Sequence, residues 1–457
     1  MRVQKPREIA ARVLQHREKA ADYVEDLLEA PLSALSGADR GLCQELVYGV
    51  VRWQRTLDWL IARRTGGRTQ KTTLQVLLRL GLYQMLWLDR IPGHAAVNET
   101  VELARQLGCG PQSGFVNALL RGYARERDQA RKELDDLKTT QPPLGHSHPD
   151  WLCERWQQRW GADKLRQLLE WNNTPPNIFA RINTLRTDAG RLVELWRSEG
   201  VNYNLFRRNW LEENVVFELK SHPSLASLPS FQQGLFYVQD PGTLLAVREL
   251  DPRPGETILD FCAAPGGKTT YIAQLMQNRG RLVARDTNPF RLQRLRENCE
   301  RLGVSGVETS VAGGDEVDAW RRFLSRYDQQ GAIPNRAGSE SRAPVQAEER
   351  FDRVLVDAPC SNTGVMRRRV DLRWRIRPEE IDRLRQVQHE LLEDASVQTK
   401  PGGVLVYSTC SLEPEENGHV VKEYLANHPD FKLETERELF PFTDGVDGAY
   451  VARFIKR

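Results

Sequence analysis

From Glu256 onward, short apolar segments alternate with stretches of helical spacing, and this alternation restricts the fold more than any other feature of the chain. The segments read ETILDF, RLVARD, VETSVAG, FDRVLVD and GGVLVYSTC, followed by a closing pair that ends in AYVARFI. Strands this short and apolar are buried on both faces, which a mostly parallel sheet with helices on each side achieves. A doubly wound α/β domain is therefore expected over 235–457, with ligands at the carboxyl ends of its strands. Residues 325–350 break the rhythm. They are polar, hold few large apolar residues, and are expected to form a disordered surface insertion.

The first 130 residues follow a different period. Ile9, Val13, Ala20, Val24, Leu27 and Leu28 recur at helical spacing, as do Leu42, Leu46, Val50, Trp53, Leu57, Leu60 and Ile61, and no alternating strand pattern appears. An all-helical domain over 1–137 is expected. Residues 128–145, charged and then proline-rich, read as a linker. From 146 to 234 the pattern is mixed, with helices expected at 149–171 and 186–200 and strands near Ile178–Ile182 and Val215–Leu219. Three domains suit a chain of 457 residues. No run approaches the roughly 18 apolar residues of a membrane span, and Met1–Ala10 lacks the apolar core of a secretion signal. The seven cysteines are scattered without a C-x-x-C pair, which argues against a disulfide framework and a zinc site. A reducing cytoplasm and a metal-free monomer are the expectation.

Net charge is only +3. Residues 1–130, however, hold 19 Lys and Arg against 14 Asp and Glu. A denser cluster comprises Arg367, Arg368, Arg369, Arg373, Arg375 and Arg377. It follows a strand end, and phosphate contact is expected of Arg367, Arg368, Arg369 and Arg373; Trp374 within it suits either base stacking or a core role.

Asp260-Phe-Cys-Ala-Ala-Pro-Gly-Gly-Lys-Thr-Thr270 follows a strand and opens a helix. Its two glycines let backbone approach a ligand, and the helix start offers free N–H groups. A P-loop would need glycine where Cys262 stands, and G-x-G-x-x-G is absent. The next strand ends in Asp286, about 20 residues on, where such folds set a carboxylate against ribose hydroxyls. A helix-capping role before Asn288-Pro289 is compatible with that. Asp315 follows the third strand and is expected to contact an adenine amino group.

The fourth strand ends in Asp357-Ala-Pro-Cys360-Ser and the fifth in Tyr407-Ser-Thr-Cys410-Ser. One cysteine there would read as a small buried hydrophobe. Two at equivalent strand ends, each followed by serine, point to thiol chemistry, which runs through the thiolate. The residues alone do not say which thiol attacks.

Together, Cys262-Ala-Ala-Pro-Gly-Gly-Lys268, Asp357-Ala-Pro-Cys360-Ser and Ser408-Thr-Cys410-Ser-Leu-Glu-Pro-Glu-Glu-Asn417 resemble the Sun/RsmB group of RNA cytosine-5 methyltransferases. Ile91-Pro-Gly-His-Ala-Ala-Val-Asn-Glu99 and Phe115-Val-Asn-Ala-Leu-Leu-Arg121 are similar to a NusB-type RNA-binding domain. The resemblance covers essentially the whole chain. It implies a Rossmann-like class I methyltransferase domain and S-adenosylmethionine as methyl donor. It further implies a 16S ribosomal RNA substrate of the cytosine-967 type. Cys410 would be the nucleophile and Cys360 the group aiding product release, with Asp357 at base nitrogen 3. Cys262, Ala263, Ala264, Pro265, Gly266, Gly267, Lys268, Asp286, Asp315 and Asp357 would line the cofactor site.

The chemistry explains why a thiol is wanted. Carbon 5 of cytosine becomes nucleophilic enough to attack a methyl sulfonium only after a thiolate has added to carbon 6. The family pattern after the first cysteine usually reads Ser-Gly-Thr-Gly, and here it is Ser361-Asn-Thr-Gly364. Asn362 tolerates left-handed backbone, so the turn is expected to survive. The helical domain is expected to supply RNA affinity. The rivals are a transfer-RNA cytosine-5 methyltransferase and a retired enzyme acting as a NusB-like RNA-binding factor.

Overall fold

The computed structural model describes residues 6–20, 22–33, 35–311 and 350–457. Asp315 and all of the expected 325–350 insertion except residue 350 lie outside them. The chain divides into two compact units, one of 1–175 with 366–375, the other of 176–365 with 376–457.

The first unit is helical. Its centre is the helix Thr72–Trp87, whose apolar run is buried almost all round. A helix hydrophobic on every face needs neighbours on every face. Here Pro6–Arg17, Gly37–Arg52, Gln54–Thr65, Gly93–Gln106, Ser113–Arg125 and Arg127–Thr140 supply them. The expected linker is not one. Residues 127–140 form a helix that buries Ala130, Leu134 and Leu137. Those three share a face at the i, i+4, i+7 spacing, and the charges between them lie on the other side. Asp150–Asn173, expected to open the second domain, is helical and belongs to this first unit, interrupted at Gly161, where φ is 80° and ψ 170°.

The second unit contains two sheets. The smaller comprises β1 (Ile178–Ile182), β2 (Asn202–Phe206), β3 (Val216–Ser221) and β4 (Phe236–Val238), all antiparallel, in the order β2-β3-β1-β4. The helix Ala189–Glu199 connects β1 to β2 and buries Leu192 and Trp196. The larger sheet comprises β5 (Thr257–Phe261), β6 (Arg281–Asp286), β7 (Val307–Val311), β8 (Phe351–Asp357), β9 (Thr399–Thr409), β10 (Phe431–Leu439) and β11 (Ala449–Lys456). Its order is β10-β11-β9-β8-β5-β6-β7. The run from β9 to β7 is parallel, and β11 joins β9 antiparallel. The chain starts in the middle at β5, winds outward to β6 and β7, then returns to β8. The order therefore reverses beside β5, and a doubly wound sheet opens a crevice at such a point. Its register sets Asp357 of β8 opposite Ser408 of β9, so the residues after both strands emerge side by side.

Candidate active site

The carboxyl edge of the central strands collects the residues singled out by sequence. After β5 the chain turns through Cys262, at φ 58°, and Gly266, at φ 100°, before the helix Gly267–Leu275 begins. Gly266 is compelled both by that φ and by packing, since a Cβ there would meet Leu295 at 3.0 Å. Asp286, 4% exposed, ends β6 and accepts from the backbone N–H of Ala264 at 3.1 Å and of Asn288 at 3.0 Å. It thus fastens its own turn to the glycine loop. Asn288 itself caps the helix Pro289–Leu302, its Oδ1 accepting from the N–H groups of Phe290 and Arg291, so the capping role considered for Asp286 falls to its neighbour.

Two further groups brace this loop that the sequence reading did not single out. Asp260, fully buried in β5, accepts from the Thr269 hydroxyl at 2.6 Å through Oδ2, while Oδ1 has no partner. Burial pushes its carboxyl up to about 7. Arg181 of β1, 1% exposed, donates to the Gly267 carbonyl at 2.8 Å, to the Thr270 hydroxyl at 3.0 Å and to Gln239. It lies between the rings of Tyr237 and Tyr271. The small sheet thereby grips the start of the loop's helix. No motif marks this arginine, because its role exists only once the two sheets pack.

Lys268 Nζ donates to Asp357 Oδ2 at 2.6 Å, and the Ser408 hydroxyl donates to Oδ1 at 2.9 Å. Burial disfavours the Lys268 ammonium, but the charge and hydrogen bond of Asp357 outweigh it and hold its pKa above the ordinary lysine value.

The two thiols meet. Cys360 Sγ and Cys410 Sγ lie 3.3 Å apart, and the Cys410 N–H points at Cys360 Sγ, also at 3.3 Å. Cys360 is buried, 7% exposed, whereas Cys410 is partly exposed. The hydrogen bond with Cys410, together with burial, holds the Cys360 thiol well above the usual range, so it stays protonated. Their loops cross at Gly364, whose N–H donates to the Cys410 carbonyl at 3.0 Å; a Cβ there would stand 2.7 Å from that oxygen. Asn362 takes the left-handed turn at φ 57°, as the sequence allows.

One buried carboxylate organises both loops. Glu416 accepts from the Ser361 N–H at 2.8 Å, from the hydroxyls of Ser361 and Ser411, and from Gln388 Nε2 at 3.1 Å. Burial pushes it up to about 6. Each serine that follows a cysteine in sequence is thus held by the same group. The motif contained Glu416, but spacing gave it no role.

The arginine run departs from expectation. Residues 366–375 belong to the helical unit. Arg373, 0% exposed, donates to the carbonyls of Arg52, Ser147 and Asn172 and to Asn173 Oδ1. Arg367, 2% exposed, lies over the Trp171 ring at 3.9 Å. Both guanidinium groups are buried away from solvent, Arg373 among four internal acceptors and Arg367 against the Trp171 ring, so neither is placed to reach a phosphate. Arg368 is half-buried and Arg369 exposed. Trp374 is half-buried in the core and donates to the Val51 carbonyl at 2.7 Å. Among the described residues there is no group of three or more potential metal ligands. Among them, too, no helix is long and apolar enough to cross a membrane.

A central parallel sheet with an antiparallel closing pair, a glycine loop after its first strand and an acid after its second define a class I methyltransferase. Three family descriptions match in series: the NusB family over residues 4–125, the ferredoxin-like domain of RsmF/B-like methyltransferases over 148–216, and the 16S rRNA methyltransferase RsmB/F over 247–455. A probable ribosomal RNA small subunit methyltransferase B of Synechocystis sp. is 37% identical over 94% of this chain and 90% of its own. One of the same name from Bacillus subtilis is 33% identical over 99% and 98%. The crystal structure of a methyltransferase homolog from Pyrococcus horikoshii superposes with a TM-score of 0.55 at 30% identity, covering 69% of this chain and 97% of that one. The chain belongs to the RsmB/F family of RNA methyltransferases, and the resemblance read from its motifs holds along its length.

Proposed function

We propose that the protein transfers a methyl group from S-adenosylmethionine to carbon 5 of a cytosine in 16S ribosomal RNA, of the cytosine-967 type, by way of a covalent adduct on Cys410. The observation that carries this reading is the pair of thiols 3.3 Å apart, one sealed in and one partly open, beside the Lys268–Asp357 ion pair. The names of the relatives support ribosomal RNA as substrate.

The loop fits the donor. Asp260 presents an unpartnered buried oxygen, Gly266 and Gly267 give close backbone approach, and Asp286 stands where ribose hydroxyls are held. Cys262 to Lys268, Asp286 and Asp357 would line this site, and Asp315 would join them. Bound S-adenosylmethionine supplies an electrophilic methyl sulfonium.

Cys410 adds as thiolate to carbon 6, and its proton passes by way of Asp357 and Lys268 to base nitrogen 3. Carbon 5, now electron-rich, takes the methyl group. Carbon 5 must then lose its proton, and the carbon–sulfur bond must break with its electron pair returning to sulfur. Cys360 passes its thiol proton to the departing Cys410 sulfur and takes the carbon-5 proton in exchange. Nitrogen 3 finally releases its proton to solvent. One proton leaves per methyl transferred, balancing the lost sulfonium charge.

Cys360→Ala should accumulate a covalent protein–RNA complex that survives denaturing electrophoresis and vanishes in the Cys360→Ala/Cys410→Ala double variant. Cys410→Ala should abolish methylation while leaving donor affinity nearly intact. Methylation of RNA by Cys410→Ala at a near-normal rate would sink the assignment. Bisulfite sequencing of RNA from a strain lacking the protein reads the target base.

A further inference from the structure

We infer that Asn362 holds the Cys410 thiol in its protonated, resting form and has to release it before the sulfur can attack. The inference rests on Cys410 being the nucleophile only for its catalytic consequence; the contact itself is independent of that reading.

Between Ser361 and Thr363 the turn carries a polar side chain, that of Asn362. Left-handed backbone at φ 57° aims that side chain back across the turn. Asn362 Nδ2 donates to the Cys360 carbonyl at 2.6 Å, which fixes which end of the amide points where. The other end, Oδ1, stands 3.0 Å from Cys410 Sγ. An amide oxygen has no proton to give, so this contact is favourable only while sulfur carries one. A thiolate in the same place would face lone pairs. A hydrogen bond made only to the neutral form disfavours ionisation.

The other groups facing Cys410 do not reproduce this effect. The Cys360 thiol, 3.3 Å away, is itself buried and protonated. The Lys268 ammonium acts on Cys410 by charge and favours the thiolate, but is tied to Asp357. Glu416 lies behind Cys360, bound to the two serines. Lysine and amide thus pull in opposite directions. Asn362 keeps the reactive sulfur quiet between turnovers, and the incoming base must displace its oxygen for the lysine's influence to prevail. A glycine in the same turn would make no such contact.

The test is the pH dependence of Cys410 alkylation by iodoacetamide in the full-length protein, read peptide by peptide in a mass spectrometer, with the partly exposed Cys109 as internal reference. Asn362→Gly keeps the left-handed turn, since glycine accepts that φ. Its Cys410 should be alkylated at lower pH than in the wild type, with a roughly three- to tenfold faster reaction near neutrality. Asn362→Asp puts a carboxylate beside the sulfur and should move the midpoint upward. Opposite shifts support the inference. An unmoved midpoint in Asn362→Gly overturns it, and if that variant does not fold, an unmoved or lowered midpoint in Asn362→Asp does so instead. Methylation retained by Cys410→Ala would overturn the nucleophile assignment while leaving these midpoints as they are.

Discussion

At the scale of single residues, Glu416 carries the most structural consequence for its size. It is fully buried and gathers donors from both cysteine loops. Its pKa of about 6 lies above the 4.5 of an unfolded glutamate. The folded protein therefore binds this proton more tightly than the unfolded chain does. The stability associated with the protonated form is fully present below pH 4.5 and is lost as pH rises through about 6. A shift of that size corresponds to about 2 kcal/mol. Glu416→Gln removes the titration, so its melting temperature should fall less than that of the wild type between pH 5 and 7. Parallel melting curves across that window would show that Glu416 ionises without strain. The two-armed hold also means that Glu416→Ala loosens Ser361 and Ser411 together, and with them the spacing of the thiols.

At the scale of elements, the segment 366–375 shows how one stretch of chain builds a core it does not belong to in sequence. Asp371, its side chain 0% exposed, pairs with Arg17 and accepts from the Val24 N–H at 2.8 Å, capping the helix Val24–Ser33 from more than 300 residues away. Val370 joins the same core. Asp371→Ala leaves a helix-terminal N–H without its acceptor and takes one acceptor from the buried Arg17 guanidinium, which keeps Gln54 and Glu18, a loss of about 1–3 kcal/mol for this type of break. The melting temperature should drop, and hydrogen exchange at Val24 should quicken markedly. Unchanged exchange at Val24 would mean that water replaces the cap. This segment also marks where the sequence stopped being legible. Strand periodicity located the large sheet, and the ends of its strands located Asp286, Asp357, Cys360 and Cys410, because those features depend on local pattern. The arginines at 367 and 373 look like surface charge in sequence; only long-range packing reveals their partners, the Trp171 ring for Arg367 and carbonyls such as those of Arg52 and Asn172 for Arg373. Asn362 was legible as a turn former and not as a thiol's partner, since the partner lies 48 positions on. The helix over 127–140 was hidden for the opposite reason, with charge density masking a three-residue apolar stripe.

At the scale of the whole molecule, the proposed function asks what supplies the energy to bring a base to two thiols at a sheet edge. Taking a stacked nucleotide out of its helix costs a few kcal/mol, which contacts elsewhere on the RNA would offset. With Arg367 and Arg373 committed to the interior, the phosphate contacts have to come from elsewhere, and the helical unit is a natural source. On the helix Ser113–Arg125, Arg121 and Arg125 are exposed and four residues apart, hence on one face. Cutting the chain at residue 130 is a poor test of this idea, because the cut falls inside the helix Arg127–Thr140 and strips Val370 and Asp371 of their surroundings. Charge removal in the full chain is cleaner. Arg121→Gln/Arg125→Gln should fold and bind the methyl donor as the wild type does. Its affinity for ribosomal RNA should fall, and the dependence of log affinity on log salt should flatten by about 0.7–0.9 for each phosphate that is no longer neutralised. Measured over about 50–200 mM salt, a slope unchanged from wild type would exclude this face from the RNA path. A slope that flattens yet stays well below zero in the double variant would mean that counterions are still released at phosphate contacts elsewhere, and other exposed arginines, Arg369 among them, would be the next to substitute.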